Sequence, residues 1–279
     1  MISTALPRPT QAGAWAIGLI GLVLAAGTAR ADEVKIGGTG AALGTMRLLA
    51  EAYAKKAGAP HTVTVLPSMG SSGGIKAVLS GAIQIGVSAR PLKDSEVQAG
   101  GQAYEYGRTP FVFAVPNATK APTLTTQQLA DIYNGTLQQW PDGTRVRVVM
   151  RPLGDSDGEL IKAIAPAVRE AKVAAEQRKG MLFTVTDQDT ADAIEKTSGA
   201  FGPSTLALML SEKRAMRALS LNGVVPEVRT LADGSYPLVK VLYIITGAKP
   251  APAAQGFIDF VRSAEGRQIL AATGHWVPK

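Results

Sequence analysis

The sequence has no cysteine, two histidines and only 5% aromatic residues among its 279 positions. Without cysteine there is no disulfide scaffold, iron–sulfur centre, thiolate zinc site or thiol nucleophile. His61 and His275 are too few for a multi-histidine metal site. Like charges never run to five in a row, and the basic residues are not interleaved with aromatics. The formal charge of +7 therefore does not read as a nucleic-acid surface. No apolar run reaches the roughly 20 residues of a membrane-spanning helix. What is present is 46% apolar and 18% charged residues, a balance that folds rather than stays disordered, over a length that can bury a large core.

The N-terminus reads as an export signal. Arg8 makes a positive start, Ala14 to Ala26 form a short apolar run, and Ala29-Arg30-Ala31 places small residues where signal peptidase cuts. Cleavage after Ala31 removes two arginines and no acid, which leaves a charge of +5. No cysteine stands at the cleavage point to carry a lipid. The expected product is an exported, periplasmic protein without a lipid anchor.

Along the remaining chain, short β-type runs alternate with helix-type runs. Strands are predicted over 34–36, 61–66, 83–88, 111–115, 146–150 and 238–245. Helices are predicted from the apolar face at Met46, Leu49, Ala50, Tyr53, Ala54 and Ala57, and over 74–80, 126–134, 158–168, 253–262 and 264–273. The alternation predicts an α/β fold with mostly parallel sheets. Ligands of open α/β sheets bind beyond the carboxyl ends of strands. That rule selects 37–45, 67–75, 88–95 and 151–158.

The richest of these segments is Pro67 to Gly74, with three glycines and three serines between a strand and a helix. Glycine lets backbone come close to a ligand, and a helix start offers free N–H groups and partial positive charge. With the hydroxyls of Ser71 and Ser72 it can cradle a small oxyanion, although a plain capping turn has the same composition. Thr39 and Gly40 form a second donor loop. The same stretch is no dinucleotide motif, because its third glycine is replaced by Leu43. Arg90 and Arg151 each follow a strand at a ligand-binding edge, where a guanidinium can fork onto an oxyanion or pair a neighbouring acid. Asp155-Ser156-Asp157-Gly158-Glu159 resembles a calcium loop, but Leu153 and Ile164 stand where two ligands belong, so no metal is expected. Gly70-x-Ser72-x-Gly74 also spells a nucleophile elbow, with His275 as a distant partner; only two strands precede it, too few for a hydrolase sheet.

Taken in order, several segments resemble the periplasmic phosphate-binding proteins of bacterial ABC transporters. They are Gly70-Ser71-Ser72-Gly73-Gly74-Ile75-Lys76, Gly86-Val87-Ser88-Ala89-Arg90-Pro91-Leu92, Gly107-Arg108-Thr109-Pro110 and Leu129-Ala130-Asp131-Ile132-Tyr133-Asn134-Gly135. Trp140, Tyr236-Pro237-Leu238, Gly256 to Val261 and Glu265-Gly266 complete the set. The resemblance covers the whole chain beyond residue 31. It implies a two-lobed type II solute-binding fold, with lobe one at 32–110 and 230–279 and lobe two at 111–229. The implied function is capture of phosphate or a similar small oxyanion between the lobes and delivery to an inner-membrane ABC permease. The protein would act as a monomer, without catalysis, cofactor or nucleic acid.

Carried onto this chain, the resemblance assigns Thr39, Gly40 and Ser71 to the ligand from lobe one, and Arg151, Asp155, Ser156 and Asp157 from lobe two. Ser72 and Arg90 join them by their loops. Two departures stand out. Ala89 occupies a position where relatives place an aspartate that accepts the phosphate proton, and Gly154-Asp155-Ser156-Asp157 replaces a Gly-Ser-Gly-Thr loop. The expectation is that the acceptor has moved to Asp155 or Asp157. A serine hydrolase using Ser72 and His275, and a periplasmic ligand-sensing module, are the alternatives.

Overall fold

The computed structural model describes residues 1–2, 33–56, 61–121 and 123–278. The signal peptide predicted at 1–31 falls outside these residues, apart from Met1 and Ile2. In chain order the elements are β1 (Val34–Gly38), α1 (Gly40–Lys55), β2 (Val63–Val65), α2 (Gly70–Leu79), β3 (Ile85–Ser88), α3 (Asp94–Gln98) and β4 (Gln102–Pro116). There follow α4 (Thr126–Asn134), β5 (Arg147–Met150), α5 (Ser156–Ala163), α6 (Pro166–Gln177), β6 (Leu182–Phe183), α7 (Asp187–Lys196) and β7 (Ala200–Thr205). Last come α8 (Leu206–Ser211), β8 (Met216–Ala218), α9 (Val228–Ala232), β9 (Val239–Thr246), α10 (Pro252–Arg262) and α11 (Ala264–Ala272). No helix among the described residues is long and apolar enough to cross a membrane.

The strands join in the order β2-β1-β3-β9-β4-β7-β5-β6, with β8 on β4. Pairing is parallel in the outer strands, β2-β1-β3 on one side and β7-β5-β6 on the other. The two central strands are antiparallel to their neighbours. β4 carries the architecture. Its first part, Gln102 to Pro110, pairs with β9, and Phe111 to Ala114 pairs with β7. One strand thus belongs to both halves, and only its second, unbroken apolar part announced itself in the sequence. A bulge between Glu105 and Gly107 marks the half that did not.

Each half has its own core. Around β1, β3 and β9, the apolar face of α1 meets α10, and Tyr53 packs edge-on against Phe257 at 5.6 Å. In the other half, Phe201 of β7 stacks on Phe113 of β4 at 5.4 Å and touches Tyr133 and Trp140. Removing such a ring from a packed core costs about 3–5 kcal/mol.

Local signals set the boundaries. Thr125 caps α4 by accepting from Gln128 N–H, and Gly135 ends it at φ 85°. The helix predicted over 158–168 is two helices, α5 and α6, because Pro166 starts a new one at its first position. The helix predicted from Gly74 begins at Gly70, so the glycine–serine segment is its first turn rather than a loop before it.

Candidate functional site

Three helices, α1, α2 and α5, start directly after strands β1, β2 and β5 and aim their first turns into one cleft of about 500 Å³. Two glycines make this convergence possible. A Cβ on Gly38 would lie 1.9 Å from the Val87 carbonyl, and one on Gly74 would lie 2.6 Å from Gly38 Cα. Gly38 lets β1 lie close against Val87 of β3, and Gly74 lets α2 settle on the end of β1, a packing role rather than a ligand contact.

Of the residues predicted for the site, Thr39, Ser71, Ser72, Arg90, Arg151, Asp155 and Ser156 line the cleft; Gly40 and Asp157 do not. Ser71 Oγ accepts from the Ala89 N–H at 2.9 Å, tying the start of α2 to the end of β3. Arg90 donates to Ser72 Oγ at 3.1 Å, and two of its nitrogens meet the two Glu96 oxygens at 2.8 Å each. That forked bond, chiefly, pulls the Glu96 carboxyl down to about 2. The Arg90 charge is balanced by a neighbour six residues on.

Arg151 ends β5 and is only 4% exposed. Its Nε and Nη2 fork onto Asp155 at 3.2 and 3.0 Å, and its Nη1 donates to the Thr184 carbonyl and to Thr190 Oγ1. Asp155 caps α5 by accepting from Asp157 N–H at 3.0 Å. Burial disfavours the Arg151 charge, but Asp187, Asp155 and Asp157 more than offset it and keep the guanidinium protonated.

Asp157 faces inward, 2% exposed, in an ion pair with Lys240 of β9. Lys240 also reaches Asp187 at the start of α7, 3.8 Å away. Burial raises the Asp157 carboxyl; Lys240 opposes this, Asp187 and Asp155 reinforce it, and the result is about 6. For Asp187 the balance reverses. Burial pushes it up, but Lys240, Arg151 and hydrogen bonds from Ala41 and Gly40 N–H hold it below the usual carboxylate range. The cluster therefore sets two cations, Arg151 and Lys240, against three carboxylates.

Lys240, Asp187 and Glu96 were missed in the sequence. A lone lysine inside the apolar run 238–245 was the available signal, since a buried ammonium must find a carboxylate. Asp187 had none, because Thr186-Asp187-Gln188-Asp189 reads as a plain helix cap, which it also is.

The structure does not assemble the hydrolase pair. Ser72 is bonded by Arg90. The His275 ring is 1% exposed, meets Thr273 Oγ1 and the Leu270 carbonyl, and lies against Tyr106. Burial lowers its pKa to about 4, leaving a neutral imidazole in the core. A second groove, of about 550 Å³ and lined by Arg145, Arg147, Arg178 and Lys179, lies away from these strand ends. Arg147 and Arg178 there are held by the backbone carbonyls of Ser198, Tyr133 and Asn134.

Comparison with known proteins gives a consistent result. A family model described as a PBP superfamily domain matches residues 24–265. The chain is 24% identical over 226 residues to the phosphate-binding protein PstS of Borreliella burgdorferi, covering 77% of this chain and 79% of that protein. It is 25% identical over 228 residues to PstS of Bacillus subtilis, covering 75% and 69%. Among solved structures, a phosphate ABC transporter substrate-binding protein from Clostridium perfringens with bound phosphate superposes with a TM-score of 0.74 at 23% identity, over 89% of this chain and all of that one. An ABC-type phosphate transport receptor from Vibrio cholerae gives 0.60 at 19% identity, over 88% and 100%.

Proposed function

Because the chain belongs to the PBP superfamily, we propose that it captures inorganic phosphate, or an oxyanion of the same size, and delivers it to an inner-membrane ABC permease. The observation that carries this reading is the cleft itself. Thr39, Ser71 and Arg151 come from three separate strand-to-helix junctions and line one space, with helix starts pointing at it. The names of the relatives supply the ligand.

Capture uses a hinge. One lobe comprises 32–110 and 230–279, the other 111–229, and β4 with the segment leading into β9 crosses between them. Tyr236 and Leu238, at that crossing, pack in the core of the second lobe. Closing the lobes removes water from around the anion, which strengthens every donor on it. In this reading the ligand is released unchanged. Of the two acids predicted to accept a phosphate proton, Asp155 lines the cleft and is the better placed. The export signal at 1–31 would put a monomer without a lipid anchor in the periplasm.

Calorimetry on residues 32–279 with phosphate, arsenate, sulfate and molybdate tests the reading. Phosphate and arsenate should bind and sulfate should bind weakly, with Asp155→Asn narrowing that gap. A folded protein that gives no phosphate heat refutes it. Copurification with a permease rather than a signalling receptor supports transport over sensing.

A further inference from the structure

The start of α1 is the donor set that the proposed anion should occupy, yet it carries a ligand from its own chain. Thr39, the cap residue of α1, makes no side-chain capping bond. The carboxylate of Asp187, which arrives on α7 from the other half, instead lies beside the first N–H groups, of Gly40 and Ala41. That carboxylate is nine-tenths buried and lines the cleft. Its neighbour Gln188 fastens the same spot, donating to the Gly40 carbonyl at 3.0 Å and to Glu212 at 2.8 Å. The fit leaves no room. A Cβ on Gly40 would come within 2.8 Å of Asp187 Oδ2 and 2.3 Å of Gln188 Oε1.

We infer that Asp187 is a built-in stand-in for the anion, a latch that holds the two halves together at the α1 N-terminus and must be displaced for an oxyanion to bind there. Charge requires the displacement. Arg151 and Lys240 already face Asp155, Asp157 and Asp187, so a dianion entering beside all three carboxylates would meet an excess of negative charge in a desolvated space. When Asp187 swings out, the two cations face two carboxylates, and the Gly40 and Ala41 N–H groups are free for the ligand. The latch sets affinity by competition. A binding-competent form populated one time in ten weakens capture about tenfold.

This inference rests on the proposed anion site, but its first readout needs no ligand. Hydrogen exchange of the peptide spanning Gly40 and Ala41 is measured on residues 32–279 without phosphate, in the parent protein, Asp187→Ala and Gln188→Ala. Phosphate titration by calorimetry follows on each. The expected result is slow exchange in the parent and faster exchange in Asp187→Ala. Phosphate should bind Asp187→Ala about tenfold tighter, and Gln188→Ala should shift both in the same direction by less. Should Asp187→Ala fail to fold, Gln188→Ala decides by the same signs. Exchange unchanged in both variants overturns the latch. Faster exchange with equal or weaker phosphate binding overturns the stand-in, because Asp187 then does not compete with the ligand. If the parent and both variants stay folded and none binds phosphate, the phosphate reading fails, and exchange alone judges the latch.

Discussion

Arg90 and Arg151 look alike in the sequence, each the first cation after a strand at the ligand-binding edge, and the fold treats them differently. Arg90 is partly exposed and meets Glu96 of α3, six residues on. Arg151 is buried, and although Asp155 is near in sequence, its remaining partners are Thr184 and Thr190, 33 and 39 residues away. Behind it, Lys240 is held by acids from two further elements. A rim pair can be built from one turn of chain and costs little to expose. A buried cluster needs several elements delivered together, and each member is costly to leave alone. The two regions therefore fail in different ways.

The largest effect is expected from Lys240→Ala. It leaves Asp157 buried without its cation, at a cost of about 3–5 kcal/mol, read as a drop in the thermal midpoint. Replacing the pair together, Lys240→Met with Asp157→Leu, should recover most of that loss. A single variant as stable as the parent would place Lys240 on the rim's side of the comparison. Next is Arg151→Ala, which should weaken phosphate capture by about 2–5 kcal/mol in calorimetry, where Arg90→Ala should lose far less. Equal losses would erase the distinction between the two arginines.

The pH dependence separates the regions by sign. The Asp157 carboxyl is raised to about 6 in the fold from 3.8. Its contribution is therefore present below 3.8 and lost as pH rises through 6. Asp157→Asn should remove that decline from a series of melts. Glu96 is lowered from 4.5 to about 2, so its contribution is present above 4.5 and lost as pH falls through 2. Glu96→Gln should flatten this acid-side loss. Its effect at neutral pH should be the smallest of the set, about 0.2–1 kcal/mol, since water screens a pair on the rim. Slopes of the same sign in both regions would contradict the assignment.

Much of the frame was readable before any coordinates. Thr125 with Gln128 and Gly135 wrote the limits of α4, and apolar runs marked β3 and the buried part of β4. The Pro67 to Gly74 segment announced a site, although its glycines turned out to serve packing as much as approach. The bulged, partly exposed first half of β4 was missed because its pairing with β9 spans more than a hundred residues and leaves no periodic pattern. Asp157 shows the same limit from the other side. Its spacing after Arg151 placed it in the right loop, but at position 2 of α5 it faces Lys240 instead of the cleft.

The sequence by itself determined which residue types were available, namely no thiol, almost no imidazole, and arginine, serine and glycine at strand ends. It also determined the helices whose caps lie within a few residues of their start. Hydrogen bonds and hydrophobic periodicity act over one or two turns, so they can be read locally. Only the tertiary structure decided which charges meet. Lys240 and Asp157 are 83 residues apart, and Gln188 and the Gly40 carbonyl are 148 apart. Coulomb attraction depends on distance in space and on burial, which no local pattern encodes.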